Sequence, residues 1–129
     1  INFAILEYYL RGDNRAEEVA RTNGDRMKER WDFDGWPETD SNIDSERRSR
    51  FACIRECIDL YQLTWDDTFL LMAREMFEAM LSHTTASGML SEDLDYETDE
   101  LWGNFPQTYS LVGIINCAGL LSKPWSEVR

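Results

Sequence analysis

Carboxylate side chains are concentrated in one stretch of the chain, between Gly88 and Ser110. Such groups bind calcium or transfer protons, depending on their spacing and surroundings. The alternating order Asp93-x-Asp95-x-Glu97-x-Asp99 suits calcium, but it lacks the glycine and the twelfth-position glutamate of the helix-loop-helix site. We therefore expect no metal and no cofactor. Charge alone indicates a solvated acidic turn, whose members are Glu92, Asp93, Asp95, Glu97, Asp99 and Glu100.

The order of residues around this cluster is more specific than its charge. It contains Gly88-Met-Leu-Ser-Glu92 and Leu101-Trp-Gly-Asn-Phe-Pro-Gln-Thr-Tyr-Ser-Leu-Val-Gly-Ile-Ile-Asn116. These runs resemble the C-terminal catalytic segment of bacterial glycoside hydrolase family 15 proteins, the glucoamylases and related glucosidases and trehalases. The resemblance covers about residues 87–128. It implies that Glu92 is the catalytic base and that the substrate is an α-linked glucoside or oligosaccharide.

The general acid of that reaction has no counterpart in the sequence. Inverting hydrolysis needs two carboxyl groups about 6.5 to 9.5 Å apart, one to protonate the leaving oxygen and one to activate water. The family acid lies in a Trp-Glu motif on an earlier hairpin, which Glu38, following Trp36-Pro37, does not match. A general acid accelerates such a reaction by a factor of about 10² to 10⁴. We therefore expect little or no turnover from these 129 residues alone.

Four residues beside Glu92 have side chains suited to binding a sugar. Trp102 and Tyr109 offer flat faces for stacking, and Asn104 and Gln107 offer hydrogen-bonding amides. The turn at residues 103–106 serves equally well to start the following helix, so both interpretations stay open for all four.

The rest of the chain has helical periodicity, which predicts one all-α domain or toroid fragment. A first hairpin spans about 2–30, with Asp13 capping its second helix, and a second spans about 44–81, capped at Asp44 or Ser45 and at Asp66. A loop that resembles an active site covers 84–106, and a final helix covers 107–121. Residues 31–42 are predicted to be a loop. The predicted apolar face of the first helix consists of Phe3, Leu6, Tyr9 and Leu10.

The two hairpins are copies of one unit. A shift of 53 residues aligns eight identical pairs, including Ile5 with Ile58, Tyr8 with Tyr61 and Asp13 with Asp66. Identities that keep apolar pairs and a capping residue in register indicate a repeat. The junction also resembles the helix-loop-helix unit of (α/α)6 toroids, the fold of family 15, and implies an incomplete arc of that ring. The chain starts without Met and stops at Arg129, where a helix is beginning, so we expect a piece of a longer protein.

Composition narrows the partners and the compartment. The net charge of −12 repels nucleic acid and anionic membranes but does not affect neutral sugars. No apolar run reaches the roughly 18 residues of a membrane span. Three cysteines without a secretory signal predict reduced core thiols in a cytoplasmic protein. His83 is predicted to be a capping or surface residue.

Two functions of different classes follow. The first is a segment or relative of an inverting glycoside hydrolase. The second is a non-catalytic helical-hairpin module that binds a partner or self-associates, because an open arc of toroid leaves apolar edges for another chain to cover.

Overall fold

The computed structural model describes residues 2–34, 46–95, 98, 100–122 and 124. Within them the regular secondary structure is helical apart from one short β-hairpin, and this confirms the all-α class. The toroid arc stays a prediction. The elements are α1 (Asn2–Arg11), α2 (Asn14–Asp34), α3 (Glu46–Thr64), α4 (Asp67–Ser82), β1 (Asp93–Leu94), β2 (Leu101–Trp102) and α5 (Thr108–Leu121).

Aspartate side chains begin the second helix of each hairpin. The carboxylate of Asp13 accepts the N–H of Arg15 at 2.9 Å, and that of Asp66 accepts the N–H of Thr68 at 3.0 Å. Both predicted caps are confirmed, and His83 is the C-cap residue of α4 as expected. The predicted caps at Asp44 and Ser45 lie outside the described residues.

The core is built around α3, which packs against all four other helices. Its inward side carries Ile54, Ile58 and Tyr61, all essentially inaccessible to water. The other helices cover this side with apolar residues: Ile5 from α1, Ala20 from α2, Phe69, Ala73, Met76 and Met80 from α4, and Cys117 from α5.

Two sequence-based expectations about the first hairpin were wrong. The apolar face predicted for α1 is exposed at Leu6, Tyr9 and Leu10, while Ile5 is buried. The reason is that α1 contacts both α2 and α3, so the side of the helix with Ile5 and partly buried Tyr8 points inward. The second error concerns residues 31–34, predicted as loop, which continue α2.

α2 approaches α3 and α4 closely at a glycine. A Cβ atom at Gly24 would lie 2.9 Å from Phe69 Cζ and 3.1 Å from Leu60 Cδ2. One turn later, Lys28 Nζ lies 3.0 Å from a carboxylate oxygen of Asp66 and 4.9 Å from the centre of the Phe69 ring. The second hairpin is therefore joined to α2 by apolar contact, an ion pair and a cation–π contact.

The three cysteines are thiols, as predicted; Cys57 and Cys117 are buried in the core, whereas Cys53 is partly buried. Burial raises the pKa of Cys57 to about 12 and that of Cys117 to about 11. Among the described residues no group of three His, Cys, Asp or Glu side chains could hold a metal ion. A search of the same residues finds no helix that is long and apolar enough to cross a membrane.

Gly24→Ala is expected to destabilise the fold, whereas Gly119→Ala is its matched control. A Cβ atom at Gly119 would meet nothing within 4 Å, so the better helix propensity of alanine should stabilise the protein by up to about 1 kcal/mol. At Gly24 the buried Phe69 ring must move, which costs about 1 to 3 kcal/mol. Urea unfolding of both variants measures the difference, and equal stabilisation by both would contradict the close packing of α2.

The ion pair at Asp66 predicts a pH-dependent stability. Hydrogen bonds from Thr68 and Lys28 hold the pKa of Asp66 below its ordinary value. The ionised Asp66 therefore stabilises the fold fully above about pH 3.9, the pKa of this carboxyl group in the unfolded chain. The stabilisation is lost as the pH falls through the lower pKa that Asp66 has in the folded protein. Asp66→Asn keeps a good cap but loses the charge, so it should be less stable than the wild type at pH 7.

Urea unfolding at several pH values between 7 and 3 tests this expectation. The stability gap between wild type and Asp66→Asn should narrow towards the lowest pH. The gap should also be smaller in a Lys28→Met background, because only the bond from Thr68 then remains. A gap independent of both pH and Lys28 would show that the pair contributes nothing.

Candidate functional site

A tight turn leads the chain from α4 back to the core. The Gly88 N–H donates to the Thr85 carbonyl at 2.8 Å, and the Thr85 N–H donates to the Met89 carbonyl at 2.9 Å. Gly88 adopts a positive φ of 74°, which suits a residue without a Cβ atom. The turn delivers Leu90 and Ser91 into the interior, where both are buried.

Hydrogen bonds attach the buried residues Leu90 and Ser91 to the start of α5. The Gln107 N–H donates to the Leu90 carbonyl at 2.9 Å. The hydroxyl of Ser110, itself buried, donates to the Ser91 carbonyl at 3.0 Å. The Ser91 hydroxyl in turn donates to the Asp93 carbonyl. The residues just before Glu92 are thus held by a helix that packs on α3 and α4.

Beyond Ser91 the chain forms a β-hairpin that the sequence analysis treated as loop. Asp93 pairs with Trp102 and Leu94 with Leu101 in antiparallel register. The ladder is extended at one end by the Asp95 N–H donating to the Glu100 carbonyl at 2.9 Å, and at the other by the Glu92 N–H donating to the Asn104 carbonyl at 2.9 Å. Glu92 therefore stands where the hairpin meets the helical core.

The side chain of Glu92 is half-buried and is held by Asn104. The Asn104 amide nitrogen Nδ2 donates to Glu92 Oε2 at 2.8 Å, and the Asn104 backbone N–H approaches the same oxygen at 3.4 Å. Gly103 makes this approach feasible, since a Cβ atom there would lie 2.9 Å from Glu92 Cβ. Its φ of 78° is also in the region that favours glycine.

The other predicted site residues lie along the second half of this segment. Trp102 is on β2 and 57% exposed, and Tyr109 is in the first turn of α5 and 73% exposed. Gln107 is the N-cap residue of α5, although its side chain makes no capping bond. The structure thus brings Asn104 into contact with Glu92. It places Trp102 on β2, just before Asn104, and Gln107 and Tyr109 at the start of α5, just after it.

One aromatic residue of this segment was missed by the sequence analysis. Phe105 is about half exposed and precedes a cis peptide bond to Pro106. Its position in the sequence, between the predicted site residue Asn104 and Pro106, could have marked it as a further candidate. It adds a third exposed ring to the hairpin and the start of α5.

Several sequence-based expectations lie outside the described residues. These are the mismatched acid candidate Glu38 with Trp36, and two members of the acidic cluster, Glu97 and Asp99. The site described by the structure consists of one held carboxylate, the amides of Asn104 and Gln107, and three exposed aromatic rings.

Comparison with known proteins gives two matches. The family model described as Glycosyl hydrolases family 15 matches residues 45–119, which include α3, α4, the hairpin and most of α5. A trehalase from Thermoplasma volcanium is 37% identical over 54 residues, which cover 42% of this chain and 9% of the trehalase. The chain therefore matches only a small part of that relative's length. No solved structure matches.

Removal of the Ser110 hydroxyl should loosen the attachment of Glu92 to α5. Ser110→Ala leaves the buried Ser91 carbonyl without this donor, which costs about 1 to 3 kcal/mol. Ser122→Ala is the matched control, because its hydroxyl donates to a carbonyl of the same helix at an exposed position. Amide hydrogen exchange of the Glu92 N–H should become faster in the first variant alone. An unchanged rate in Ser110→Ala would show that the hairpin does not depend on this bond.

Proposed function

Because the chain belongs to glycoside hydrolase family 15, we propose that it acts in the inverting hydrolysis of α-linked glucosides and that Glu92 is the general base. The observation that supports this role is the position of the Glu92 carboxylate. It is half-buried at the base of a hairpin and held by an amide at 2.8 Å. An exposed tryptophan, Trp102, lies on the paired strand.

The proposed chemistry uses Glu92 in its ionised form. Its carboxylate takes a proton from water, and the water oxygen forms a bond to the anomeric carbon as the bond to the glycosidic oxygen breaks. A separate protonated carboxyl group gives its proton to the leaving oxygen. We assign no residue of this chain to that acid, so the proposal includes low turnover for these 129 residues alone.

The segment that carries Glu92 suits a neutral sugar. Trp102 and Tyr109 expose flat apolar faces on which a pyranose ring can stack, and Gln107 carries an amide between them in the chain. The net charge of −12 disfavours anionic substrates. Since the matched relative is named a trehalase, trehalose is the first substrate to test, followed by maltose and isomaltose.

A second candidate function is supported by the exposed face of α5. From Thr108 to Leu121 the helix carries no charged residue. It exposes Tyr109, Val112 and Ile115, the last at 68%. Contiguous exposed apolar side chains are typical of interaction sites. A non-catalytic module that binds a partner, or a second copy of the chain, through this face is therefore the alternative proposal.

Glu92→Gln should abolish any glucose release from trehalose, maltose or isomaltose, because an amide cannot accept the proton from water. Loss of a positioned base lowers the rate by about 10² to 10⁴. Glu100→Gln is the matched control, since Glu100 is an exposed acidic residue of the same hairpin. The assay needs high protein concentration and a sensitive glucose readout.

Three results would distinguish the proposals. Release by wild type and Glu100→Gln but not by Glu92→Gln supports the hydrolase. Release that survives Glu92→Gln contradicts the assignment of the base. Absence of release from every variant, together with concentration-dependent association in analytical ultracentrifugation, supports the interaction module.

A further inference from the structure

We propose that Asn104 is a positioning residue for Glu92 and not a ligand of the sugar, an inference that rests on the proposed role of Glu92 as base. Three hydrogen bonds join the two residues, and the longest runs from the Asn104 backbone N–H to Glu92 Oε2 at 3.4 Å. The Glu92 backbone N–H donates to the Asn104 carbonyl at 2.9 Å, and the Asn104 side-chain amide donates to Glu92 Oε2 at 2.8 Å. The same residue therefore holds both the backbone and the carboxylate of the base.

The absence of a side chain at Gly103 allows this arrangement to form. A Cβ atom at this position would lie 2.9 Å from Glu92 Cβ and 3.3 Å from Oε2. Any larger residue at position 103 would therefore displace the glutamate side chain. With the positive φ of 78°, the Gly-Asn pair brings the amide donor to the carboxylate without steric conflict.

A fixed carboxylate is what activation of water requires. When Oε2 is held by an N–H donor, the plane of the carboxylate is defined, and with it the direction of the Oε1 lone pairs. A misplacement of about 1 Å in a reacting group can cost on the order of 10²-fold in rate. The amide is also uncharged, so it orients the carboxylate without pairing with its charge as lysine or arginine would.

The packing beneath the pair supports the same role. Ser91, directly before Glu92, is fixed to α5 through the Ser110 hydroxyl at 3.0 Å, and β1 and β2 pair directly after it. The backbone on both sides of Glu92 is thus constrained. The Asn104 side chain adds the shorter of two bonds to the end of the Glu92 side chain, 2.8 Å against 3.4 Å from the backbone N–H.

The two roles for Asn104 predict different kinetics. A sugar ligand removed by Asn104→Ala should raise KM, whereas a positioning residue should lower kcat with KM retained. We expect Asn104→Ala to reduce kcat on the order of 10²-fold, with KM for trehalose within about twofold of wild type. Asn104→Asp should reduce kcat at least as much, because it replaces the N–H donor by a second carboxylate of similar shape.

The experiment compares wild type, Asn104→Ala, Asn104→Asp and the control Glu100→Gln, each shown to be folded by circular dichroism and thermal unfolding. Steady-state trehalose hydrolysis gives kcat and KM. A side-chain amide NMR spectrum gives a second readout that does not require turnover. The Asn104 NH₂ signals should move on Glu92→Gln and stay in place on Glu100→Gln.

The outcomes separate this inference from the proposed function. If Glu92→Gln abolishes hydrolysis but Asn104→Ala raises KM with kcat unchanged, Glu92 stays the base and the positioning role is overturned. If the wild type releases no glucose, hydrolysis by these 129 residues alone is contradicted, and the NMR spectrum decides whether Asn104 holds Glu92. Signals of Asn104 that do not respond to Glu92→Gln would overturn the pairing itself.

Discussion

The helices α1, α2, α4 and α5 bury α3, and through it they are held against one another. α3 is in contact with α1, α2, α4 and α5, and its inward side chains at Ile54, Ile58 and Tyr61 are essentially inaccessible to water. Burial of a large apolar side chain stabilises a fold by about 1.5 to 3 kcal/mol. Because α5 packs on this helix, and the segment before Glu92 is hydrogen-bonded to α5, the position of the carboxylate is set by the core.

Much of the helical architecture could be predicted because its signals are local. Capping aspartates at Asp13 and Asp66 mark where helices begin, and regular apolar spacing marks the inward side of α4. The inward side of α1 could not be predicted from spacing, since that helix has apolar residues on several sides. The internal repeat held the better information, because it equates Ile5 and Tyr8 with the buried Ile58 and Tyr61.

The site shows a similar division between local and tertiary information. That Glu92 and Asn104 belong to one segment could be predicted from the ordered run of sequence that contains them. Their roles relative to one another could not, because the contact of Asn104 with Glu92 joins positions twelve apart through a hairpin of two-residue strands. Strands that short have too few residues for alternation to appear. Only the pairing of the backbone shows which side chain reaches the carboxylate.

The buried thiols have a consequence for how motion of this site can be observed. Cys57 on α3 and Cys117 on α5 belong to one apolar cluster, and burial keeps both protonated at neutral pH. Thiolates, not thiols, react with alkylating and disulfide reagents. Modification of Cys117 therefore requires that the helix supporting Glu92 separate from its neighbours. The rate at which Cys117 is modified therefore measures how often α5 separates from its neighbours, and no dye or tag is needed near the carboxylate.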